Sequence, residues 1–232
     1  MKVLFWDLDH TLWDFKTNSR EALEEGYVEY DLGSLGVGPV EEYIESYEKA
    51  NDWCWAEYRE GRMVKEELRG KRFKLAMAPW GLGEDVELGE KLGLHYIERS
   101  PYKTNLIEGT HEVLSSLKNA GFKMVVLTNG FEEVQHIKVS QSNLGQYFEE
   151  IITSDSLGFK KPHPQAYALA LERVGAKPQD VIMIGDNFEA DVLGAKEAGL
   201  GQIYFNPEGT KYEEEIDHEV KTLTEILDIV LH

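Results

Sequence analysis

Two aspartates that follow an apolar run near the N-terminus have the residue type and spacing for chemistry. The run VLFW (3–6) leads into Asp7, and Asp9 comes two residues later. Residues two apart in an extended segment point to the same side of the chain, so the two carboxylates would converge and repel each other. A pair that caps a turn is the structural alternative, and the motif alone does not decide between the two readings. A bound cation or a reaction that needs two carboxylates would explain the pairing.

Three later segments add groups suited to binding a metal or a phosphate. They are LTNG (127–130), FKKPHP (159–164) and GDNFEAD (185–191), and they contribute the candidate residues Thr128, Asn129, Gly130, Lys161, Asp186 and Asp191. Several carboxylates around one point favour a hard cation such as Mg²⁺. A hydroxyl, backbone amides and a lysine suit an anion. A metal site beside an anion site predicts phosphoryl transfer.

Five short apolar runs predict the sheet that would bring these segments together. The runs are VLFW (3–6), KMVVLT (123–128), EIIT (150–153), VIMIG (181–185) and QIYF (202–205). Helical patterns at 110–120, 132–143, 164–174, 190–198 and 223–231 separate or follow them. This alternation predicts an α/β fold with a doubly wound, parallel, five-stranded, Rossmann-like sheet. Ligands bind such a sheet at the carboxyl ends of its strands, where the polar segments begin.

A long helical insertion separates the first predicted strand from the second. The segments PVEEYIESYEKANDWCWAEYREG (39–61) and VKEELRGKRFKLAMAPWG (64–81) have the spacing of amphipathic helices. We therefore expect an α/β core domain formed by 1–15 and 105–232. Residues 16–104 would form a helical cap domain, which is a natural lid over the strand ends.

Composition limits the classes of partner. The chain has 232 residues, and 24 Lys and Arg against 43 Asp and Glu give a formal net charge of −19. This charge repels nucleic acid polymers but leaves room for a small phosphorylated metabolite in a pocket with a local cation. No apolar run has the length of a membrane span, and the single cysteine, Cys54, cannot form an internal disulfide. A cytoplasmic location without membrane contact is expected, whereas the oligomeric state is not readable from the sequence.

The four polar segments, in this order, resemble the haloacid dehalogenase-like hydrolase superfamily. DLDHT (7–11), LTNG, KKP (160–162) and GDNFEAD stand where that family has its four motifs, and the insertion resembles its helical cap of the first type. The resemblance implies a Mg²⁺-dependent phosphatase that works through an aspartyl-phosphate. Dehalogenases of the superfamily need no acid at the position of Asp9, so the presence of Asp9 favours phosphate chemistry.

The resemblance also implies roles for the site residues. Asp7 would be the nucleophile, and Asp9 the general acid and then the general base. Asp7, the backbone carbonyl of Asp9 and Asp186 would hold the metal, with Asp191 orienting the metal shell. Thr128 and Lys161 would bind and stabilise the phosphoryl oxygens, beside the backbone amides of Asn129 and Gly130.

The substrate class follows from a narrower resemblance to the pyrimidine 5′-nucleotidase subfamily. The segment ANDWCWAEYREGRMVKEELRGKRF (50–73), aromatic and basic, carries this resemblance. A nucleobase could stack on Trp53, Trp55 or Tyr58, with Arg59 or Arg62 near the sugar or phosphate. Trp55 and Arg59 are the residues chosen here, and His10 would line the active site. The alternative for such residues is a place in the helical core or on its solvated face.

Other functions remain open at this point. A sugar-phosphate or phosphoglycolate phosphatase and a phosphosugar mutase would share the same core residues. A mutase must protect its aspartyl-phosphate from water, and nothing in the sequence decides whether water is admitted. A non-catalytic binding protein on the same fold is the alternative of a different class. Such proteins usually lose a catalytic carboxylate or the lysine, and here all of them are present.

Overall fold

The structure, a computed structural model, describes residues 2–231 of the chain. The chain divides into two compact units, one formed by 1–15 with 104–232 and the other by 16–103. The first unit is α/β and the second is helical. No helix within the described range is long and apolar enough to cross a membrane.

A parallel sheet of six strands forms the centre of the first unit. Its strands are β1 (Val3–Trp6), β2 (Lys123–Thr128), β3 (Glu150–Thr153), β4 (Val181–Gly185), β5 (Gly201–Phe205) and β6 (His218–Val220). They lie side by side in the order β3-β2-β1-β4-β5-β6, and every neighbouring pair is parallel. The strand order therefore reverses direction at β1, and such a switch point is where open α/β sheets bind ligands. The prediction of a doubly wound parallel sheet is confirmed.

The predicted number of five strands is wrong, because β6 was not foreseen. This strand is three residues long and pairs with β5 on one side only. Two of its residues, His218 and Glu219, are exposed, and an acidic run precedes it. An edge strand needs few apolar residues because one side faces solvent, so its sequence resembles a polar loop.

Helices cover both faces of the sheet. In chain order they are α5 (Thr110–Asn119), α6 (Glu132–Gln141), α7 (Ser154–Leu157), α8 (Pro164–Val174), α9 (Gly194–Glu197) and α10 (Glu225–Val230), with a π-helix at Phe188–Leu193 leading into α9. Side chains of β1 alternate between the two faces of the sheet. Leu4 and Trp6 pack in one apolar cluster, whereas Val3 and Phe5 pack in another. Both faces of β1 are thus buried, as the apolar run VLFW predicted.

The second unit is a separate helical bundle with its own core. Its helices are α1 (Phe15–Glu29), of which the first residue belongs to the first unit, α2 (Val40–Arg59), α3 (Lys65–Met77) and α4 (Val86–Arg99), with short 3₁₀ turns at Ala78–Trp80 and Ser100–Tyr102. Buried aromatic residues such as Tyr43, Tyr47 and Phe73 fill that core. Inside it lies Arg72, whose guanidinium is 4.8 Å from the ring centre of Tyr96 and donates to Asn51 Oδ1 at 3.0 Å.

Candidate functional site

The register of the three central strands brings the predicted site residues to one edge of the sheet. Trp6, the last residue of β1, is paired with Val126 on one side and with Ile184 on the other. Asp7 therefore leaves the sheet one residue beyond these pairs, and Thr128 and Asp186 lie two residues beyond them. The amide of Asp7 still donates to the carbonyl of Ile184 at 2.9 Å, which fixes the start of the loop that contains Asp9.

Lys161 lies at the centre of the site and joins two of the predicted carboxylates. Its side chain is buried, and Nζ is 2.8 Å from Asp7 Oδ1 and 2.6 Å from Asp191 Oδ1. Nζ also donates to the carbonyl of Leu127 at 2.6 Å. The backbone of Lys161 is held by Asn129, whose side chain accepts from the Lys161 amide and donates to the Lys161 carbonyl, each at 2.8 Å. Asn129, predicted to line the anion site, thus fixes the loop that carries the lysine.

The loop after β4 places Asp186 and Asp191 on either side of the same point. Thr11 Oγ1 donates to Asp186 Oδ1 at 3.0 Å and accepts from the amide of Asp186 at 3.1 Å. Asp191 Oδ2 accepts from the amide of Asn187 at 3.0 Å. Asp191 also packs directly over Gly185, where any Cβ would overlap its carboxylate. A glycine is therefore required at the end of β4 for Asp191 to reach the site.

Carboxylate oxygens of Asp7, Asp186 and Asp191 lie within 4.8 Å of one another. Burial raises the pKa of Asp7 to about 7, and the neighbouring charges of Asp191 and Asp9 add to the rise while Lys161 opposes it. Burial also raises the pKa of Asp186 to about 7, with the charge of Asp7 as the next cause. For Lys161, burial lowers the pKa, but the two carboxylates outweigh it and leave the pKa raised.

These residues fit a divalent metal ion. Three carboxylates, of which Asp191 is buried and Asp7 and Asp186 are half-buried, face a single lysine charge. The cluster therefore carries an excess of negative charge that a cation would offset. An all-oxygen donor set is the kind that Mg²⁺ prefers. The side chain of Asp9 is not part of this cluster, and the predicted contact of its backbone carbonyl with the metal stays a prediction.

The turn after β2 differs from a simple anion cradle. Thr128 is buried, and its Oγ1 accepts from the amide of Gly130 at 3.1 Å. This amide is therefore engaged within the turn, whereas the hydroxyl proton of Thr128 remains for another acceptor. Gly130 also makes room for Gln135, whose side-chain amide would overlap any Cβ at position 130.

Asp9 is held by two side chains that the sequence reasoning missed. Lys138 Nζ lies 2.5 Å from Asp9 Oδ1, and Gln135 Nε2 donates to Asp9 Oδ2 at 2.8 Å. Both residues come from α6, and both are buried. Thr11, the partner of Asp186, was also missed, although it lies inside the first motif.

The remaining predicted residues lie elsewhere. His10 follows Asp9 in a left-handed backbone conformation, with φ of 65°, and its exposed ring lies 4.6 Å from that of Phe15. Trp55 and Arg59 belong to α2 of the second unit, where Trp55 is half-buried and Arg59 is exposed. Their predicted contacts with a substrate stay predictions.

Comparison with known proteins agrees with this geometry. The family of haloacid dehalogenase-like hydrolases matches residues 1–199. The chain is 30% identical to the pyrimidine 5′-nucleotidase PynA of Streptococcus pneumoniae, over 89% of this chain and 84% of PynA. It is 28% identical to the pyrimidine 5′-nucleotidase YjjG of Escherichia coli, over 88% of this chain and 85% of YjjG.

A solved structure of similar shape is that of YfnB from Bacillus subtilis, which was determined with bound magnesium. It shares 25% identity and a TM-score of 0.89 with this chain, covering 100% of this chain and 99% of YfnB. The fold and the site define a doubly wound α/β protein with a carboxylate cluster at the switch point of its parallel sheet. The chain belongs to the haloacid dehalogenase-like hydrolase family, and the prediction of membership made from its four motifs is confirmed.

Proposed function

We propose that this hydrolase removes phosphate from a small phosphomonoester through a covalent intermediate on Asp7, and that its substrate is a pyrimidine nucleoside 5′-monophosphate. The observation that carries the chemistry is the contact between the buried Lys161 and Asp7, beside two further carboxylates. The nucleotide assignment is supported by the similarity to PynA and YjjG. A cytoplasmic location is part of the same proposal.

The first half of the reaction breaks the phosphate ester. An oxygen of the Asp7 carboxylate attacks phosphorus, the bond from phosphorus to the ester oxygen breaks, and Asp9 gives a proton to the departing oxygen. Lys161 keeps Asp7 oriented and places positive charge beside the phosphoryl oxygens as their charge redistributes. The hydroxyl of Thr128 donates to one of those oxygens.

The second half regenerates the enzyme. Asp9, now a carboxylate, takes a proton from water, and the resulting hydroxide attacks phosphorus. The bond from phosphorus to the Asp7 oxygen breaks, so that inorganic phosphate leaves and Asp7 is again a carboxylate. Asp7, the backbone carbonyl of Asp9 and Asp186 would hold Mg²⁺, and Asp191 would orient the metal shell. The bound ion would offset the negative charge that otherwise keeps a phosphate away from Asp7.

A substrate panel tests this proposal. Phosphate release is measured with Mg²⁺ from UMP, dUMP, phosphoglycolate and glucose 6-phosphate, and each reaction is repeated with a chelator. We expect the nucleotides to have the highest kcat/KM and the chelator to abolish turnover. Nucleotides as the poorest substrates would overturn the substrate assignment, and turnover that ignores the chelator would overturn the metal assignment.

The remaining candidate functions give different results in the same assay. A phosphosugar mutase would convert glucose 1-phosphate into glucose 6-phosphate while releasing little phosphate. A non-catalytic binding protein would release none from any substrate, including p-nitrophenyl phosphate.

A further inference from the structure

Helix α6 carries two buried polar side chains on one face. Gln135 and Lys138 are three residues apart, so they point to the same side of the helix, and they are 1% and 3% exposed. Burying an ammonium group is costly unless it is paired and hydrogen-bonded. A buried lysine therefore indicates a specific charged or hydrogen-bonding partner inside the protein.

Both side chains bind the carboxylate of Asp9, and each takes a different oxygen. Lys138 Nζ is 2.5 Å from Oδ1, and Gln135 Nε2 donates to Oδ2 at 2.8 Å. Two donors on two oxygens determine the rotation of the carboxylate as well as its position. By contrast, the other lysine of the site, Lys161, contacts Asp7 and Asp191.

Aromatic rings hold the Lys138 ammonium group in place. Nζ lies 4.0 Å from the ring centre of Trp13 and 5.5 Å from that of Phe15. A cation over an aromatic face is attracted to it, and more strongly so where water is excluded. Trp13 is fully buried, so the charge is fixed between a rigid ring and the carboxylate.

Gln135 depends on the turn that follows β2. Its side-chain amide fills the space where a Cβ of residue 130 would lie, and the same nitrogen lies 3.4 Å from Thr128 Oγ1. Gly130 therefore admits the side chain that orients Asp9. The turn and α6 together form a fixed socket for one carboxylate.

We propose that Lys138 and Gln135 are positioning residues, which hold the Asp9 carboxylate in the orientation needed for its proton transfers. The inference rests on the proposed function, since it concerns the residue given there the role of general acid and base. Among the described residues, the hydrogen bonds and ion pair of these two side chains go to Asp9 and Thr128. Loss of either should therefore slow chemistry and leave substrate binding little changed, because proton transfer belongs to the transition state.

The test compares two substrates of nearly the same shape. Phenolate is a poorer leaving group than p-nitrophenolate, so phenyl phosphate needs the proton from Asp9 more. We expect Lys138→Met, which removes the charge and keeps the length, to lower kcat/KM about tenfold or more for phenyl phosphate. The same change should lower it about threefold or less for p-nitrophenyl phosphate, with KM for both within about twofold. Gln135→Met should give the same pattern with a smaller loss.

A double-mutant cycle separates positioning from a general structural effect. If Lys138 acts through Asp9, adding Lys138→Met to the Asp9→Asn variant should lower kcat/KM for phenyl phosphate by less than about a further twofold. Lys177→Met, at an exposed site outside the socket, is the control. Its kcat/KM for both substrates should equal that of the unmodified protein. Urea unfolding of each variant shows whether it is folded, and Gln135→Met keeps the test open if Lys138→Met is not.

The outcomes distinguish a failure of the socket from a failure of the role proposed for Asp9. If the Lys138 and Gln135 variants lose the same factor in kcat/KM on both substrates, the positioning role is overturned. It is also overturned if the loss in the double variant with Asp9→Asn is the full product of the two single losses. If Asp9→Asn itself leaves phenyl phosphate turnover unchanged, the role given to Asp9 in the proposed function fails, and the socket fails with it. A loss in Asp9→Asn without any loss in the Lys138 and Gln135 variants overturns the socket alone.

Discussion

Lys161 Nζ lies 2.8 Å from Asp7 Oδ1 and binds Asp191 on its other side, while its own backbone is anchored by Asn129. The lysine is therefore both a counter-charge for two carboxylates, the half-buried Asp7 and the buried Asp191, and a group in contact with Asp7, the proposed nucleophile. Removing it would leave both carboxylates without their counter-charge, and the loss of one partner from a buried ion pair is more costly than the pair itself is stabilising. Because Lys161 has both roles, the stability and the activity of the protein should depend on the same side chain.

We expect Lys161→Met to lower the free energy of unfolding of the metal-free protein at pH 8 by about 3 kcal/mol and to abolish turnover. Urea unfolding and phosphate release from p-nitrophenyl phosphate measure the two effects. Lys160→Met is the matched control, since Lys160 is the neighbouring residue and is half-buried outside the carboxylate cluster. Equal effects of the two substitutions would show that Lys161 has no special place in the site.

Asp7→Asn should keep the fold and lose turnover. An amide oxygen can still accept from Lys161, so packing is preserved, but a neutral amide does not form the acyl-phosphate. We expect kcat to fall by roughly a thousandfold or more, with a circular dichroism spectrum like that of the unmodified protein. Mass spectrometry after rapid acid quenching should show a phosphorylated species with Asp7 present and none in the variant. Normal turnover in Asp7→Asn would mean that another group is the nucleophile.

The raised pKa values of Asp7 and Asp186 predict how the metal-free protein responds to pH. Each is raised from an ordinary value of 3.8 to about 7, so the folded state holds more protons than the unfolded state between those values. The free energy of unfolding should therefore fall as pH rises from about 4 to about 7, as far as these two groups determine it. Above pH 7 their contribution should level off.

Asp186→Asn isolates this effect, because the amide does not ionise. In a chelator, the variant should match the unmodified protein near pH 4 and exceed its free energy of unfolding by about 2 kcal/mol at pH 8. Added Mg²⁺ should stabilise the unmodified protein at pH 8 and have little effect on the variant. A variant that is less stable than the unmodified protein at pH 8 in chelator would contradict the charge argument. Urea unfolding at the two pH values provides the measurement.

Much of the fold was predictable because its central strands are apolar on both faces. β1, β2, β3 and β4 begin and end at the residues that the apolar runs predicted. The motifs at their carboxyl ends could be placed at one edge of the sheet for the same reason. β6 escaped prediction because an edge strand is stabilised by backbone pairing with β5 more than by apolar side chains.

The residues missed in the site are polar groups whose partners are distant in sequence. Lys138 and Asp9 are separated by 129 positions, and a lysine in an amphipathic helix usually points to solvent. One signal was present in the sequence: Phe131, Gln135, Lys138 and Ser142 recur at spacings of four, three and four, which would place them on one helical face. In the structure all four are buried, with Phe131 and Ser142 at the two ends of α6. A polar face in line with a buried aromatic residue indicates a buried polar contact, although it does not identify the partner.

The predicted contact of the second unit with the substrate can be tested on α2. Trp55 is half-buried, with its ring 5.5 Å from that of Tyr58 in an edge-on arrangement, whereas Trp53 on the same helix is 46% exposed. If a nucleobase stacks on Trp55, we expect Trp55→Leu to raise KM for UMP about fivefold to tenfold, since an aromatic stacking contact contributes about 1 kcal/mol. KM for p-nitrophenyl phosphate, which has no nucleobase, should stay within about twofold. Trp53, the other tryptophan considered for the base, gives the comparison: if the base stacks on Trp55, Trp53→Leu should change neither value. Arg59→Met should raise KM for UMP if its guanidinium contacts the sugar or phosphate. A larger effect of Trp53→Leu than of Trp55→Leu would place the nucleobase on the other tryptophan, and equal rises for both substrates would show that the base is not recognised on this helix.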